Sequence, residues 1–263
     1  MRLILPISIV VICFATIVFG NISYKEKIEQ VKANETSVEI QPSDSTSEKP
    51  ATPFRSYRTF VKNWPNASKQ LFKEKYEAGE PFTIFLVGST AIDNDRFSLI
   101  DSLQTEMNEV FGSSVELKSK TYDMNSTQFI EGNMQDELAE LGADMIIFEP
   151  LTYEDNKVGA TTKSIEYLAT VIEDVTAADE NVTFVLQPPP PLYEAVNYPP
   201  QVGNLKTFAE ENSITYLDYW SNFPEQGDED RADYFEEGSN SLLNDEGYAI
   251  WVDYVKEFLI HEE

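Results

Sequence analysis

Two hydrophobic patterns alternate along the chain. Short, nearly continuous apolar runs are separated by longer stretches in which apolar residues recur at intervals of three and four. The first pattern reads as strands buried on both faces, the second as amphipathic helices packed against them. The clearest run is Phe82-Thr83-Ile84-Phe85-Leu86-Val87, which stops abruptly at Gly88-Ser89-Thr90. Residues 114–121 alternate like a second strand. Asp144-Met145-Ile146-Ile147-Phe148-Glu149 is a third, stopped by Pro150. Val182-Thr183-Phe184-Val185-Leu186 is a fourth, closed by the prolines at 188–191, and Ile214-Thr215-Tyr216-Leu217 is a fifth.

Helical spacing is read between these runs. It covers residues 57–76, with a break at Trp64-Pro65, and then Leu99, Leu103, Met107 and Phe111 behind a cap at Asp93-Asn94-Asp95. Further helices are predicted from Ser126 or Thr127 to about 141, along Ile165, Leu168, Ile172 and Val175, and over residues 202–211. The last begins at Asn244 or Asp245 and carries Trp251, Val255 and Phe258 on its inner face. Residues 152–162 and 219–243 read as loops. Strands alternating with helices, without hairpin signals, predict a parallel sheet of about five strands in a three-layer α/β/α sandwich of flavodoxin-like kind.

The N-terminal region departs from this pattern. Residues 3–19 are apolar apart from Ser8 and Thr16, and Arg2 precedes them. Residues 1–20 therefore read as a signal anchor or signal peptide, with an uncleaved anchor favoured over cleavage near Gly20. Residues 21–53 read as a polar, disordered tether, and residues 54–263 as the folded domain. The domain is expected outside the cytoplasm, attached to the membrane only through the N-terminal segment.

Charge and composition narrow the partners. The net charge is −27, from 46 acidic and 19 basic residues. Such a surface repels nucleic acid phosphates and anionic membranes, and keeps a domain soluble. The single cysteine, Cys13, lies in the apolar segment, so neither an intrachain disulfide nor a cysteine-based zinc site is expected. No carboxylate loop of EF-hand spacing occurs, and no metal or cofactor is expected. The single histidine, His261, sits in the C-terminal tail.

In open α/β sheets, sites form at the carboxyl ends of strands. That singles out Gly88-Ser89-Thr90. With the strand and helix order, this turn resembles the nucleophile turn of the SGNH, or GDSL, hydrolases, over roughly residues 83–260. The block Ile146-Ile147-Phe148-Glu149, the strand exit Leu186-Gln187-Pro188 and the stretch Leu243-Asn244-Asp245-Glu246-Gly247-Tyr248 add to the resemblance. It implies an ester hydrolase in which a serine attacks, a histidine takes its proton and an aspartate orients the histidine.

On this sequence the resemblance puts Thr90 in the place of the serine, with Ser89 beside it. It puts Leu242 in the place of the histidine and Ser239 in that of the aspartate. The family's Gly-x-Asn-Asp block falls on Glu149-Pro150-Leu151-Thr152. Candidate catalytic residues are thus Thr90 and Ser89. Oxyanion or cleft candidates are Asn125, Asn156, Glu149 and Asp155, with Glu149 and Asp155 also open as substitute bases. The prolines at 188–191, with Tyr193 and Tyr198, read either as a sugar-binding wall or as a stiff loop. Two functions stay open. One is a catalytically silent domain binding a cell-envelope polysaccharide, another acylated carbohydrate or a partner protein. The other is an active esterase or acyltransferase on such O-acyl groups, using Thr90 or Ser89. The missing histidine favours the first.

Overall fold

The computed structural model describes residues 57–262. The apolar segment and the whole of the tether expected at the N-terminus, residues 1–53, lie outside them. Among the described residues no helix is long and apolar enough to cross a membrane.

Five parallel strands form one sheet: β1 (Phe82–Ser89), β2 (Val115–Tyr122), β3 (Met145–Phe148), β4 (Thr183–Leu186) and β5 (Thr215–Tyr216). Their order is β2-β1-β3-β4-β5. The chain runs outward from β1 to β2, then returns to the other side of β1 and builds toward β5. Its switch point therefore lies between β1 and β3, where such sheets open a crevice at their carboxyl ends.

In chain order the helices are α1 (Tyr57–Phe60), α2 (Asn66–Ala78), α3 (Leu99–Phe111), α4 (Ser126–Glu131), α5 (Met134–Ala139), α6 (Thr152–Val158), α7 (Ser164–Ala178), α8 (Tyr198–Glu211) and α9 (Asp245–Leu259). The period-2 alternation of each strand sends its side chains to two separate cores. Ile84, Leu86, Met145, Ile147 and Val185 meet α1, α2, α3 and α9 on one face. Phe85, Val87, Ile146, Phe148 and Phe184 meet α4, α5, α7 and α8 on the other. All eight residues of β1 are buried, which is why its sequence reads as continuously apolar rather than alternating. The result is the α/β/α sandwich expected from the pattern.

An aromatic cluster anchors the first core. Trp64 stacks on Phe82 at 5.2 Å, and Phe72 packs edge-on against Phe82 and Phe111. The Trp64 indole N–H also donates to the Leu259 carbonyl at 3.0 Å, tying the α1–α2 turn to the end of α9. Burying each such ring contributes about 2–3 kcal/mol.

Several helix boundaries differ from the sequence expectation, each for a local reason. The cap of α3 is Ser98, whose hydroxyl accepts from the Asp101 N–H, and not Asp93-Asn94-Asp95. Asn94 instead closes a turn onto Phe97, and Asp93 bridges to Ser98. The helix expected from 126 to 141 is two helices, α4 and α5, because Gly132 ends the first and Asn133 takes a left-handed φ of 54°. Residues 152–158, expected as loop, form α6, which ends at Gly159 in the left-handed conformation. Helix α8 begins at Tyr198, earlier than 202, because Pro199 and Pro200 occupy its first turn, where a missing N–H costs nothing.

Candidate functional site

The carboxyl ends of β1 and β3 meet at Gly88. Val87 pairs with Phe148, so Gly88 lies beside Glu149, whose N–H donates to the Val87 carbonyl at 2.7 Å. A Cβ on Gly88 would stand 2.6 Å from the Glu149 Cβ and 2.9 Å from its carbonyl oxygen. Glycine is required here by close approach of the two strands, with no unusual backbone angle involved.

Beyond Gly88 the chain divides its two hydroxyls between different environments. Ser89 is 2% exposed. Its hydroxyl donates to Glu149 Oε1 at 2.8 Å and accepts from the Ala91 N–H at 3.2 Å. Thr90 is exposed, and its side-chain hydroxyl has no hydrogen-bond partner among the described residues. Its carbonyl accepts from Asn94 Nδ2 at 2.7 Å, which fixes the turn.

Glu149 is completely buried. Loss of solvent around its carboxylate pushes its pKa up to about 8, and the Ser89 hydrogen bonds offset only part of the effect. At neutral pH the group is therefore mainly protonated. Three buried polar atoms in this layer lack partners: Glu149 Oε2, Gln187 Nε2 and the Tyr219 hydroxyl. Gln187 follows Leu186 at the end of β4, level with Glu149. Its Oε1 accepts from the Trp251 indole N–H at 3.0 Å, and Trp251 stacks on Tyr219 at 5.3 Å. Burial, and then the nearby Glu149, hold the Tyr219 hydroxyl well above the usual phenol range.

Above this layer opens a cleft of about 260 Å³. Ser89, Thr90 and Ala91 from the β1 exit form one wall. Tyr153, Glu154 and Lys157 from α6 form another, and Pro190 with Leu192 a third. Leu242, Leu243 and Tyr248, from the turn into α9, complete it. Tyr248 is braced by Phe97, stacked at 4.0 Å and 13°. The two cations in the cleft are neutralised locally: Lys157 pairs with Glu154 at 2.7 Å, and Arg96 pairs with Glu236. The proline stretch is held in place from behind, since Trp220 Nε1 donates to the Pro189 carbonyl at 2.9 Å and the Tyr198 hydroxyl to that of Pro190 at 3.3 Å.

No protein-family model matches the sequence, and no curated protein matches it by sequence. Solved structures do match the fold. A family 3 carbohydrate esterase from Talaromyces cellulolyticus aligns with a TM-score of 0.54 at 10% identity, over 68% of this chain and 96% of that one. A family 3 carbohydrate esterase from Clostridium thermocellum gives 0.51 at 13% identity, over 68% and 98%. The acetyl xylan esterase AlAXEase gives 0.51 at 12% identity, over 66% and 98%. The chain has the SGNH, or GDSL, hydrolase fold. At such identities the likeness establishes the fold and leaves the chemistry to the residues of the site.

Within this SGNH fold, the candidates from sequence separate into two groups. Thr90, Ser89 and Glu149 come together at the switch point, although Glu149 lies under the cleft and not in its wall. Asn125, Asn156 and Asp155 are engaged elsewhere. Asn125 caps α4 in a reciprocal pair with Gln128. Asn156 donates to Gln201 at 2.9 Å, joining α6 to α8. Asp155 is buried and accepts from the Ser126 N–H and hydroxyl, at 2.8 and 2.7 Å, and from the Ser164 hydroxyl. Those bonds occupy its carboxylate in tying α4 and α7 to α6, so it has no geometry for a base toward Thr90.

Leu242 lines the same cleft as Thr90, and is 44% exposed. The Ser239 hydroxyl accepts from the Ser241 and Leu242 N–H groups and closes their turn. His261 is remote from the cleft. Its ring meets Lys62 and Glu257, and its N–H donates to the Phe60 carbonyl. Tyr153, Lys157 and Tyr248 were missed as cleft residues. For the first two, Gly159 was the available signal, since a glycine after Thr152–Val158 marks a helix end rather than the middle of a loop.

Proposed function

We propose that this protein is an exported SGNH-fold domain whose cleft binds an acylated carbohydrate of the cell envelope without hydrolysing it. One observation carries the reading: Thr90 lines the cleft, its hydroxyl has no hydrogen-bond partner among the described residues, and the α9 turn brings Leu242 to the same cleft where the fold's histidine is expected. A hydroxyl is a poor nucleophile at neutral pH unless a base takes its proton. Leucine cannot serve as that base, and the one carboxylate lining the cleft, Glu154, is held by Lys157 at 2.7 Å. Tyr153, Tyr248, Pro190 and Leu192 offer aromatic and apolar faces of the kind that receive sugar rings and short acyl groups. The carbohydrate esterases with the same fold support this class of ligand. Arg2 and the apolar run after it support export and attachment through residues 1–20.

A second reading rests on the 2.8 Å bond between Ser89 and Glu149. With a pKa near 8, Glu149 has a proton affinity suited to general-base work, and ester hydrolysis would then use Ser89. The 2% exposure of Ser89 and its existing bond from Ala91 count against it.

The test is calorimetric titration of the full chain with acetylated xylo-oligosaccharide and with the same oligosaccharide after deacetylation. The proposal expects saturable binding of the acetylated form, abolished by Thr90→Trp, which fills the cleft. Equal binding of both forms, or binding unaffected by Thr90→Trp, would sink it.

A further inference from the structure

The opposite end of the sheet carries a second concave surface of different character. Between the turn after α1 and the outer face of α2 lies a groove of about 850 Å³. Arg58 and Lys62 stand on one wall, Lys69 and Lys73 on the other, with Val61 in the floor. Each pair is spaced by four residues, and on α2 that interval is one turn, about 6 Å along the axis. Glu77 is the only acidic residue lining the groove.

This is unexpected on a chain of net charge −27. Most described cations elsewhere are matched by neighbouring carboxylates, as Lys75 is by Asp144, Lys118 by Glu116 and Lys206 by Asp218. In the groove, Arg58, Lys62 and Lys69 have no ion-pair partner among the described residues. Lys73 reaches only Glu77, at 3.8 Å. The Lys62 ammonium meets the His261 ring at 3.2 Å, and the other nitrogen of that ring meets Glu257. Four cations and one carboxylate line this groove, the reverse of the balance over the chain as a whole.

We infer that the groove is a docking surface for a linear acidic polysaccharide, which lies along α2 with its carboxylates between the two rows of cations. An extended polymer is the favoured occupant, because its regularly spaced carboxylates can follow cations that repeat one turn apart along α2. Asn66 and Gln70 line the same groove and supply amide groups for hydroxyls, which a bare polyphosphate chain does not carry. The overall negative charge does not forbid such binding. At physiological ionic strength the screening length is about 8 Å, so a polymer seated in the groove feels the local cations far more than distant acids. The surface is independent of the cleft, which opens at the other end of the strands.

The experiment uses the full chain in detergent and fluorescein-labelled polygalacturonate, read by anisotropy across a salt series. Neutral dextran, polyphosphate and phosphatidylglycerol vesicles are the comparison probes. Polygalacturonate is expected to bind, dextran to fail, and affinity to fall steeply with salt as counterions are released. Replacing Arg58, Lys62, Lys69 and Lys73 together by Gln is expected to weaken binding at least tenfold and to flatten the salt dependence. Replacing Lys118, Lys120, Lys163 and Lys206 by Gln removes the same charge elsewhere and is expected to leave affinity within about twofold. The inference is overturned if the groove variant binds like the wild type, or if the control variant loses as much. It is also overturned if polyphosphate or vesicles are captured while polygalacturonate is not. Circular dichroism of both variants separates loss of binding from loss of fold.

Discussion

Ser89 and Thr90 are neighbours in the chain and carry the same functional group, yet the fold treats them oppositely. Ser89 contributes to the cleft wall but is only 2% exposed, bonded to a buried acid and to the Ala91 N–H. Thr90 is exposed at the cleft, and its hydroxyl has no hydrogen-bond partner among the described residues. The group with a partner has little access, and the group with access has no partner. Nucleophilic catalysis needs both at one atom. A hydroxyl at a strand end and a titratable group with a perturbed pKa mark a candidate site, and access has to be read beside them.

The contrast can be broken most forcefully at Glu149. Its folded pKa is raised above the ordinary carboxylate value of 4.5 to about 8. The folded state thus keeps a proton that the unfolded state releases between those values. The resulting contribution to stability is complete below the unfolded pKa and is lost as pH rises through the folded one. Between pH 5 and 8 this amounts to about 4 kcal/mol. Glu149→Gln cannot ionise, so its urea-unfolding free energy is expected to vary with pH less steeply than the wild type's. Parallel curves for the two proteins would mean that Glu149 is not the buried neutral acid described here.

Gly88→Ala comes next. The added methyl meets the Glu149 Cβ and carbonyl at sub-contact distance, and separating β1 from β3 is expected to cost about 3 kcal/mol. For a domain of this size that lowers the Tm by about 10 °C in a thermal melt. An unchanged melt would show that the strands are less tightly opposed.

Ser89→Ala should cost about 2 kcal/mol, because it leaves Glu149 Oε1 buried without its donor. Thr90→Ala is expected to change stability by less than about 0.5 kcal/mol, as for an exposed side chain without partners. Denaturant titrations of this pair measure the difference between the two seats directly. Similar losses would erase it.

The frame of the molecule was legible because strands buried on both faces leave nearly uninterrupted apolar runs, and all five runs became strands. Less legible were the places where one residue redirects the chain. Asn133 in the left-handed region splits α4 from α5, and Pro199 and Pro200 begin α8 where prolines more often suggest a break. At the site, sequence could bring Thr90, Ser89 and Glu149 to the strand ends. It could not say which hydroxyl would point inward, since that depends on β1 and β3 meeting at Gly88. Nor could it show that Asp155 is consumed by Ser126 and Ser164, from different helices. Gln187, Trp251 and Tyr219 form a polar layer only after three strand ends and α9 converge.

The central claim is the proposal that this chain, with the SGNH fold, binds its ligand without hydrolysing it. The most direct measurement is the rate of p-nitrophenyl acetate hydrolysis by the full chain, beside Thr90→Ala and Ser89→Ala. The account predicts the same background rate for all three proteins. A wild-type rate clearly above background that collapses in either variant would contradict it.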